Sequence, residues 1–427
     1  MGRSRAKKIR VGVVGVRRGV GFARAANESV GMELVALCDA RKDRLAEARA
    51  AFAAGGRKVS VYSDYDRFLE HDMDAVILAN FFHEHAPFAL QALAAGKHVM
   101  SETSACFTLA QGVALVEAVE KSGLIYMFAE NYPYTAASQE MRRVFRSGRL
   151  GEFVYGEGEY VHPDSADFWN GISPGVDHWR NWLPATYYCT HSLGPMMFIT
   201  DAWPVKVNGF VMPYRRDDPV WRRRPLRNDA ASVILCRMTG GAVVKLIQYF
   251  LRGHNSWVRI HGSRGQMENL RVGDTHMLRV RREQYHENRS GPVERIYLPD
   301  FPEHHDEAVH AGHGGGDFFM NYHFARAIRR NVQPWMDVYR GVAMSIVGIL
   351  AYRSALNDSN TVEVPDFRRP SERERYRRDD SNPDPTRRRK TDPFPSVLGK
   401  ITPTRGQLAY ARKVWRKLGL DQPVAAP

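Results

Sequence analysis

Between residues 9 and 128, short branched-apolar runs alternate with segments of helical length, and few folds accept that rhythm. The strand candidates are Ile9 to Val14, Leu34 to Cys38, Asp74 to Ala79, His98 to Met100 and Ile125 to Phe128. Helices are expected over Arg44 to Ala54, His85 to Ala95 and Leu109 to Ser122, each ended by glycine or a polar cluster. Strands joined through helices run parallel and need cover on both faces. This predicts a doubly wound parallel sheet, with ligands beyond the carboxyl ends of its strands.

The first strand feeds a glycine-punctuated turn, Gly15-Val16-Arg17-Arg18-Gly19, before a helix carrying Phe22. Such a turn can aim backbone N–H groups and a helix N-terminus at a pyrophosphate, which makes it a candidate dinucleotide site. The spacing is not the usual Gly-x-Gly-x-x-Gly, because Arg17 stands where a glycine is expected. One reading is a shortened turn in which the backbone around Arg18 and Gly19 meets phosphate; an ordinary strand-to-helix turn is the other. Asp39 ends the second strand at the interval where a carboxylate accepts ribose hydroxyls, which favours NAD, and nearby Arg41 leaves NADP open.

After Gly151 the texture changes to alternating stretches, at Phe153 to Val161, Ser232 to Met238, Ala242 to Phe250, Trp257 to His261 and Met277 to Arg281. These predict an open, mostly antiparallel sheet with one helix starting near Thr190 and closing helices at Asp317 to Arg329 and Val338 to Ala355. The expected division is residues 1–130 for the nucleotide, 131–366 for the substrate, and 367–427 as a basic linker and arm.

A net charge of +14 invites a nucleic-acid reading until its location is considered. From Arg368 onward there are sixteen Lys and Arg against seven Asp and Glu, so most of the surplus lies outside the predicted domains. Arg373 to Lys390 alternates charges with prolines and reads as a solvated linker; Gln407 to Leu418 reads as a short basic helix for docking on a neighbouring subunit. Aromatics are not interleaved with the basic run, which disfavours nucleic acid. Cys38, Cys106, Cys189 and Cys236 are scattered without metal-ligand spacing, as expected of reduced thiols in the cytoplasm. No stretch has the length of a membrane span, and the basic start lacks a signal sequence's apolar run. Met1-Gly2 lacks the hydroxyl residue that myristoylation expects, since Ala6 stands there.

The residues Gly12-Val13-Val14-Gly15, Cys38-Asp39-Ala40, His85-Ala86 and Ala95-Gly96-Lys97-His98-Val99 with Glu102 resemble the Gfo/Idh/MocA oxidoreductase family. That resemblance implies a Rossmann domain, a C-terminal open-sheet domain bearing a sugar site, and contacts to the cofactor from Gly15, Arg17, Arg18, Gly19, Asp39, Asn80, His85 and Glu102. It also implies a homo-oligomer, a dimer or tetramer. Family dehydrogenases typically carry Glu-Lys-Pro where this chain has Glu102-Thr103-Ser104, and Thr103 cannot replace the lysine as base. Tyr188-Cys189-Thr190-His191-Ser192-Leu193-Gly194-Pro195 resembles the Tyr-Pro-Thr-His-Gly-Leu-Gly-Pro signature of NAD-dependent α-N-acetylgalactosaminidases, which lack that lysine. Glu130-Asn131 with Tyr134, Tyr160-Val161-His162, Gly312-His313-Gly314-Gly315 with Asp317, and Met336-Asp337-Val338-Tyr339 extend the likeness.

A carbinol gives up hydride only as its hydroxyl proton leaves, so a base is needed within hydrogen-bond reach. His191 is the expected base and Tyr188, three residues earlier, its relay; a histidine packed at a helix start is the alternative. The resemblance places Tyr160 and Glu130 near substrate. It implies an NAD-dependent enzyme acting on a sugar or glycoside, with a redox-neutral glycosidase cycle preferred. A simple sugar dehydrogenase and a non-catalytic binding member are the rivals. His83-Glu84-His85 and the histidines from His304 to His313 fit no standard zinc spacing, so no metal is expected. His178-Trp179-Arg180-Asn181-Trp182 reads either as a substrate-facing loop or as packing.

Overall fold

The computed structural model describes residues 7–213, 215, 217–253, 255–284 and 293–420. Met1-Gly2, Ala6 and the end of the arm, 421–427, lie outside them. Two compact units emerge, one built from 1–134 with 306–342 and the other from 135–305 with 343–423. Residues 306–342 thus join the nucleotide unit, although chain order assigned them to the substrate domain.

The first unit contains β1 (Ile9–Val14), α1 (Val16–Ala25), β2 (Met32–Cys38), α2 (Lys42–Ala54), β3 (Ser60–Tyr62), α3 (Tyr65–Leu69), β4 (Ala75–Leu78), α4 (His85–Ala94), β5 (His98–Ser101), α5 (Leu109–Ser122) and β6 (Tyr126–Phe128). Its six strands are parallel in the order β3-β2-β1-β4-β5-β6, so the direction of winding reverses beside β1, where nucleotides bind in such sheets. Val11, Val13, Ile77 and Leu78 are fully buried, as helices on both faces require.

The second unit opens with α6 (Ala136–Arg146), β7 (Phe153–Val161), α7 (Ala166–Ile172) and α8 (Thr190–Thr200). Its strands continue as β8 (Pro204–Met212), β9 (Ala231–Met238), β10 (Val243–Tyr249), β11 (Asn255–Gly262), β12 (Gly265–Asn269), β13 (Leu278–Arg282) and β14 (Glu294–Tyr297). In chain order there follow α9 (His305–Ala308) and α10 (Gly316–Arg330), whose residues from 306 on belong to the first unit, then α11 (Val338–Leu356), β15 (Val362–Glu363), α12 (Pro370–Tyr376) and α13 (Arg405–Lys417). Nine strands form one sheet, ordered β14-β13-β12-β11-β7-β10-β9-β8-β15 and antiparallel except at β7–β10.

Two glycines decide how α8 lies on that sheet. Gly156, Gly158 and Tyr160 share one face of β7 by the two-residue period. A Cβ on Gly158 would stand 2.2 Å from the Ser192 carbonyl oxygen, and one on Gly156 would stand 2.8 Å from Met196 Sδ. The helix therefore rides directly on β7, and its first turn meets Tyr160 at the strand's end. Gln248 of β10, paired with Tyr160 in register, accepts from Ser192 Oγ at 3.3 Å and donates to Ser232 Oγ at 2.7 Å.

The charged C-terminal stretch is packed, which differs from the solvated linker expected. Arg353 makes a two-pronged pair with Asp379 at 2.6 Å, and Ser396 Oγ donates to Asp229 at 2.6 Å. Asp384, Asp392 and Arg373 are buried. Helix α13 docks on α7 of its own unit, where Trp415 Nε1 donates to the Asn170 carbonyl at 2.9 Å and Tyr410 donates to Asp167 at 2.6 Å.

Candidate active site

The turn after β1 takes one residue. Gly15 has φ 81°, and a Cβ there would lie 2.3 Å from the Ala79 carbonyl oxygen. Helix α1 consequently starts at Val16, so Arg17, Arg18 and Gly19 lie within its first turns and do not form a shortened loop. Gly19 serves packing: a Cβ would stand 2.5 Å from Val13 Cγ1, against the strand. Arg17 is exposed.

Asp39 accepts from the Val16 amide at 2.8 Å and the Arg41 amide at 2.9 Å, which ties the end of β2 to the start of α1. Each carboxylate oxygen still has acceptor capacity for a hydroxyl. Arg41 pairs with Asp43, its Nε 3.0 Å from Oδ1, while the Asp39 carboxylate is poorly suited to a 2′-phosphate. Asn80 donates to Glu84 at 3.1 Å, and its buried Oδ1 has no partner among the described residues. A backbone cradle closed to any Cβ, a ribose-competent carboxylate and an unused buried acceptor fit the dinucleotide. His85 is buried with Nδ1 3.0 Å from the Ser104 carbonyl, and burial holds its pKa below the ordinary value.

Arg18 carries an ion network that sequence reasoning missed. Its Nε donates to Glu102 at 2.5 Å, and its two terminal nitrogens grip Asp317 at 3.1 Å each. Burial works against both charges. Glu102 and Asp317 nonetheless raise the guanidinium above its usual range, and hydrogen bonds from His313 and Arg18 hold the Asp317 carboxyl well below its own. The partner lies 299 residues from Arg18 in sequence, which is why spacing gave no signal. Glu130 stands two residues beyond β6, fully buried, and its Oε1 accepts from the Tyr132 amide at 3.4 Å.

The second unit assembles the other candidates. Tyr188 stands just before α8 and His191 in its first turn, with ring centroids 5.0 Å apart. The Tyr160 ring is 4.6 Å from His191 and 5.8 Å from Tyr188. Tyr249, not singled out by sequence, adds a ring 5.4 Å from Tyr188, and burial pushes its phenol up to about 12. Three of the four expected catalytic residues therefore meet on one sheet end, and Glu130 belongs to the other unit. Among the described residues, no group of three or more His, Cys, Asp and Glu has metal-holding geometry.

The chain resembles proteins that join these halves. Residues 9–130 match the oxidoreductase family with an NAD-binding Rossmann fold, Gfo/Idh/MocA, and residues 229–373 match the glycosyl hydrolase 109 C-terminal domain. A glycosyl hydrolase family 109 protein of Saccharopolyspora erythraea is 28% identical, covering 84% of this chain and 83% of that protein. An alpha-N-acetylgalactosaminidase of Shewanella oneidensis is 24% identical, covering 84% and 85% respectively. A levoglucosan dehydrogenase solved with NADH and L-sorbose shares the fold, with TM-score 0.71 and 22% identity over 84% of this chain and 99% of that one. The chain thus joins an NAD-binding Rossmann domain of the Gfo/Idh/MocA oxidoreductase family to a second domain similar to the C-terminal domain of glycosyl hydrolase family 109.

Proposed function

We propose that the protein cleaves a glycoside by a redox-neutral cycle with His191 as the base. The convergence of Tyr160, Tyr188 and His191 in a chain that carries Thr103 in place of the lysine supports this reading best. His191 takes the C3 hydroxyl proton, and Tyr188 shares that hydroxyl as relay. NAD, when bound, would supply the hydride acceptor and donor for that same carbon. The C3 ketone acidifies the neighbouring C2–H, Tyr160 as its phenolate removes that proton, and the C1 substituent leaves with its bonding electrons, taking a proton that the water added at C1 replaces. Water adds at C1, the proton returns to C2, and His191 gives its own back to the C3 oxygen. The sum is glycoside plus water giving sugar plus alcohol, an exception to hydrolysis by two carboxylates.

On the cofactor side, Gly15 and the α1 N-terminus are assigned to the pyrophosphate and Asp39 to the ribose, with Asn80, His85, Glu102 and Glu130 toward the nicotinamide. Arg17 and Gly19 keep no direct role in this assignment. Four buried free thiols support a cytoplasmic location. The exposed Phe210 and Leu235, on the outward face of the nine-stranded sheet, support pairing of copies into a homo-oligomer.

The test offers glycosides to the purified protein without added NAD. Sugar release that disappears in His191→Ala supports the assignment; release that survives the substitution removes His191 as base. Stoichiometric consumption of external NAD would favour the plain sugar dehydrogenase.

A further inference from the structure

His191 sits in a turn that its own helix does not close. Pro195, inside α8, offers no N–H to the His191 carbonyl, so the backbone bond that would steady this first turn is missing. Cys189 at the N-cap makes no side-chain capping bond to the helix. Where the similar signature has proline and glycine, this chain has Cys189 and Ser192.

Side chains of the sheet supply a hold from outside. The Ser192 hydroxyl shares its one proton between the Cys189 carbonyl at 3.0 Å and Gln248 Oε1 at 3.3 Å. Gln248 Nε2 donates to Ser232 Oγ at 2.7 Å, and that hydroxyl donates to the Ala185 carbonyl at 3.1 Å. The bonds therefore run from β9 and β10 to two carbonyls that bracket Tyr188, one at Ala185 and one at Cys189. Ser192 itself follows His191 directly, and Gln248 pairs in register with Tyr160. Ser192, Ser232 and Gln248 are all buried. Apolar side chains of the same shape would be about as stable there, because each internal hydrogen bond replaces one made to water. What a fully satisfied polar network adds is a single arrangement.

Resting on the glycosidase reading above, we infer that Gln248, with Ser192 and Ser232, is a positioning network for proton transfer, fixing His191 and Tyr188 where both reach one substrate hydroxyl. The network acts through those two side chains. Proton transfer in step with hydride departure tolerates little displacement, so a loosened turn lowers kcat and leaves substrate affinity nearly intact.

The test uses the full chain saturated with NAD, with the p-nitrophenyl α-glycosides of N-acetylgalactosamine, galactose, glucose and mannose as probes. Gln248→Met and Ser192→Ala are each expected to lower kcat about tenfold to a hundredfold, with KM within about twofold and NAD affinity unchanged. Ser192→Ala also leaves Gln248 Oε1 buried without its partner, which lowers the unfolding midpoint. Adding Gln248→Met to Ser192→Ala removes that orphan, so the midpoint recovers most of the loss while kcat stays low. Recovery of kcat together with stability overturns the proposal, as does an unchanged kcat in Gln248→Met. A second readout needs no turnover. In protein carrying isotopically labelled histidine, the His191 ring is expected to give one sharp NMR signal, identified by its loss in His191→Ala, and to broaden or split in Gln248→Met. A His191 signal that does not respond to Gln248→Met overturns the proposal. The two readings separate cleanly: a responding His191 with no sugar release from any probe leaves the network and removes the cycle, and release with an unresponsive His191 does the reverse.

Discussion

At Gly15 one missing carbon decides whether the nucleotide unit can exist as described. Alanine there meets the Ala79 carbonyl and a left-handed φ together, so Gly15→Ala is expected to cost about 1–3 kcal/mol and abolish NAD binding. Thermal unfolding and an NAD titration check both halves. Two buried carboxyls give opposite pH signs. Asp317 is depressed, so its stabilisation is present above the unfolded carboxylate value of about 4 and is lost as pH falls through the folded value. Asp229, despite hydrogen bonds from Ser396 and the Val397 amide, is pushed by burial up to about 6. Its contribution is complete below pH about 4 and is lost as pH rises through about 6. Asp229→Asn is therefore expected to flatten the stability profile over that interval, measured by denaturant unfolding at stepped pH. The sequence made His191, Tyr188 and Tyr160 legible through a signature. It did not show Asp317 gripping Arg18, or Tyr249 and Gln248 completing the cluster, because those depend on contacts between distant segments.

Among the elements, α5 and β7 have the bounds expected from periodicity alone, Leu109–Ser122 and Phe153–Val161. Short or edge elements such as β3, β14 and β15 carry too few residues for a pattern to register. The C-terminal stretch misled for a different reason. Alternating charge usually means a solvated face, but here the charges find partners far away in sequence and α13 lays Ala411, Val414 and Trp415 inward. Through α7 that helix supports Trp169, whose ring is 4.6 Å from Phe250 and 5.7 Å from His162. Trp415→Ala is expected to destabilise the protein by about 3–5 kcal/mol and to raise KM for glycoside while leaving the NAD affinity of the folded protein unchanged. Unfolding curves with separate glycoside and NAD titrations check it, and Trp415→Phe should recover most of the loss.

For the molecule as a whole, two-unit construction was plain from the change of texture near residue 151, but the assignment of 306–342 to the first unit was not, because chain order carries no information about which sheet a returning helix covers. Helix α10 returns to α1, where Asn321 donates to the Phe22 carbonyl at 3.0 Å, and it brings Asp317 to Arg18. Asp317→Asn should accordingly weaken NAD binding severalfold at neutral pH, since a charge-assisted pair contributes about 1.5–3 kcal/mol; titration with NAD reads this directly. The central claim is that C2 loses its proton while C3 is a ketone. Glycoside cleavage in heavy water followed by NMR of the released sugar tests it most directly. The account predicts deuterium at C2 and none at C3, with both exchange and release abolished in His191→Ala; sugar released with C2 still fully protiated would contradict it.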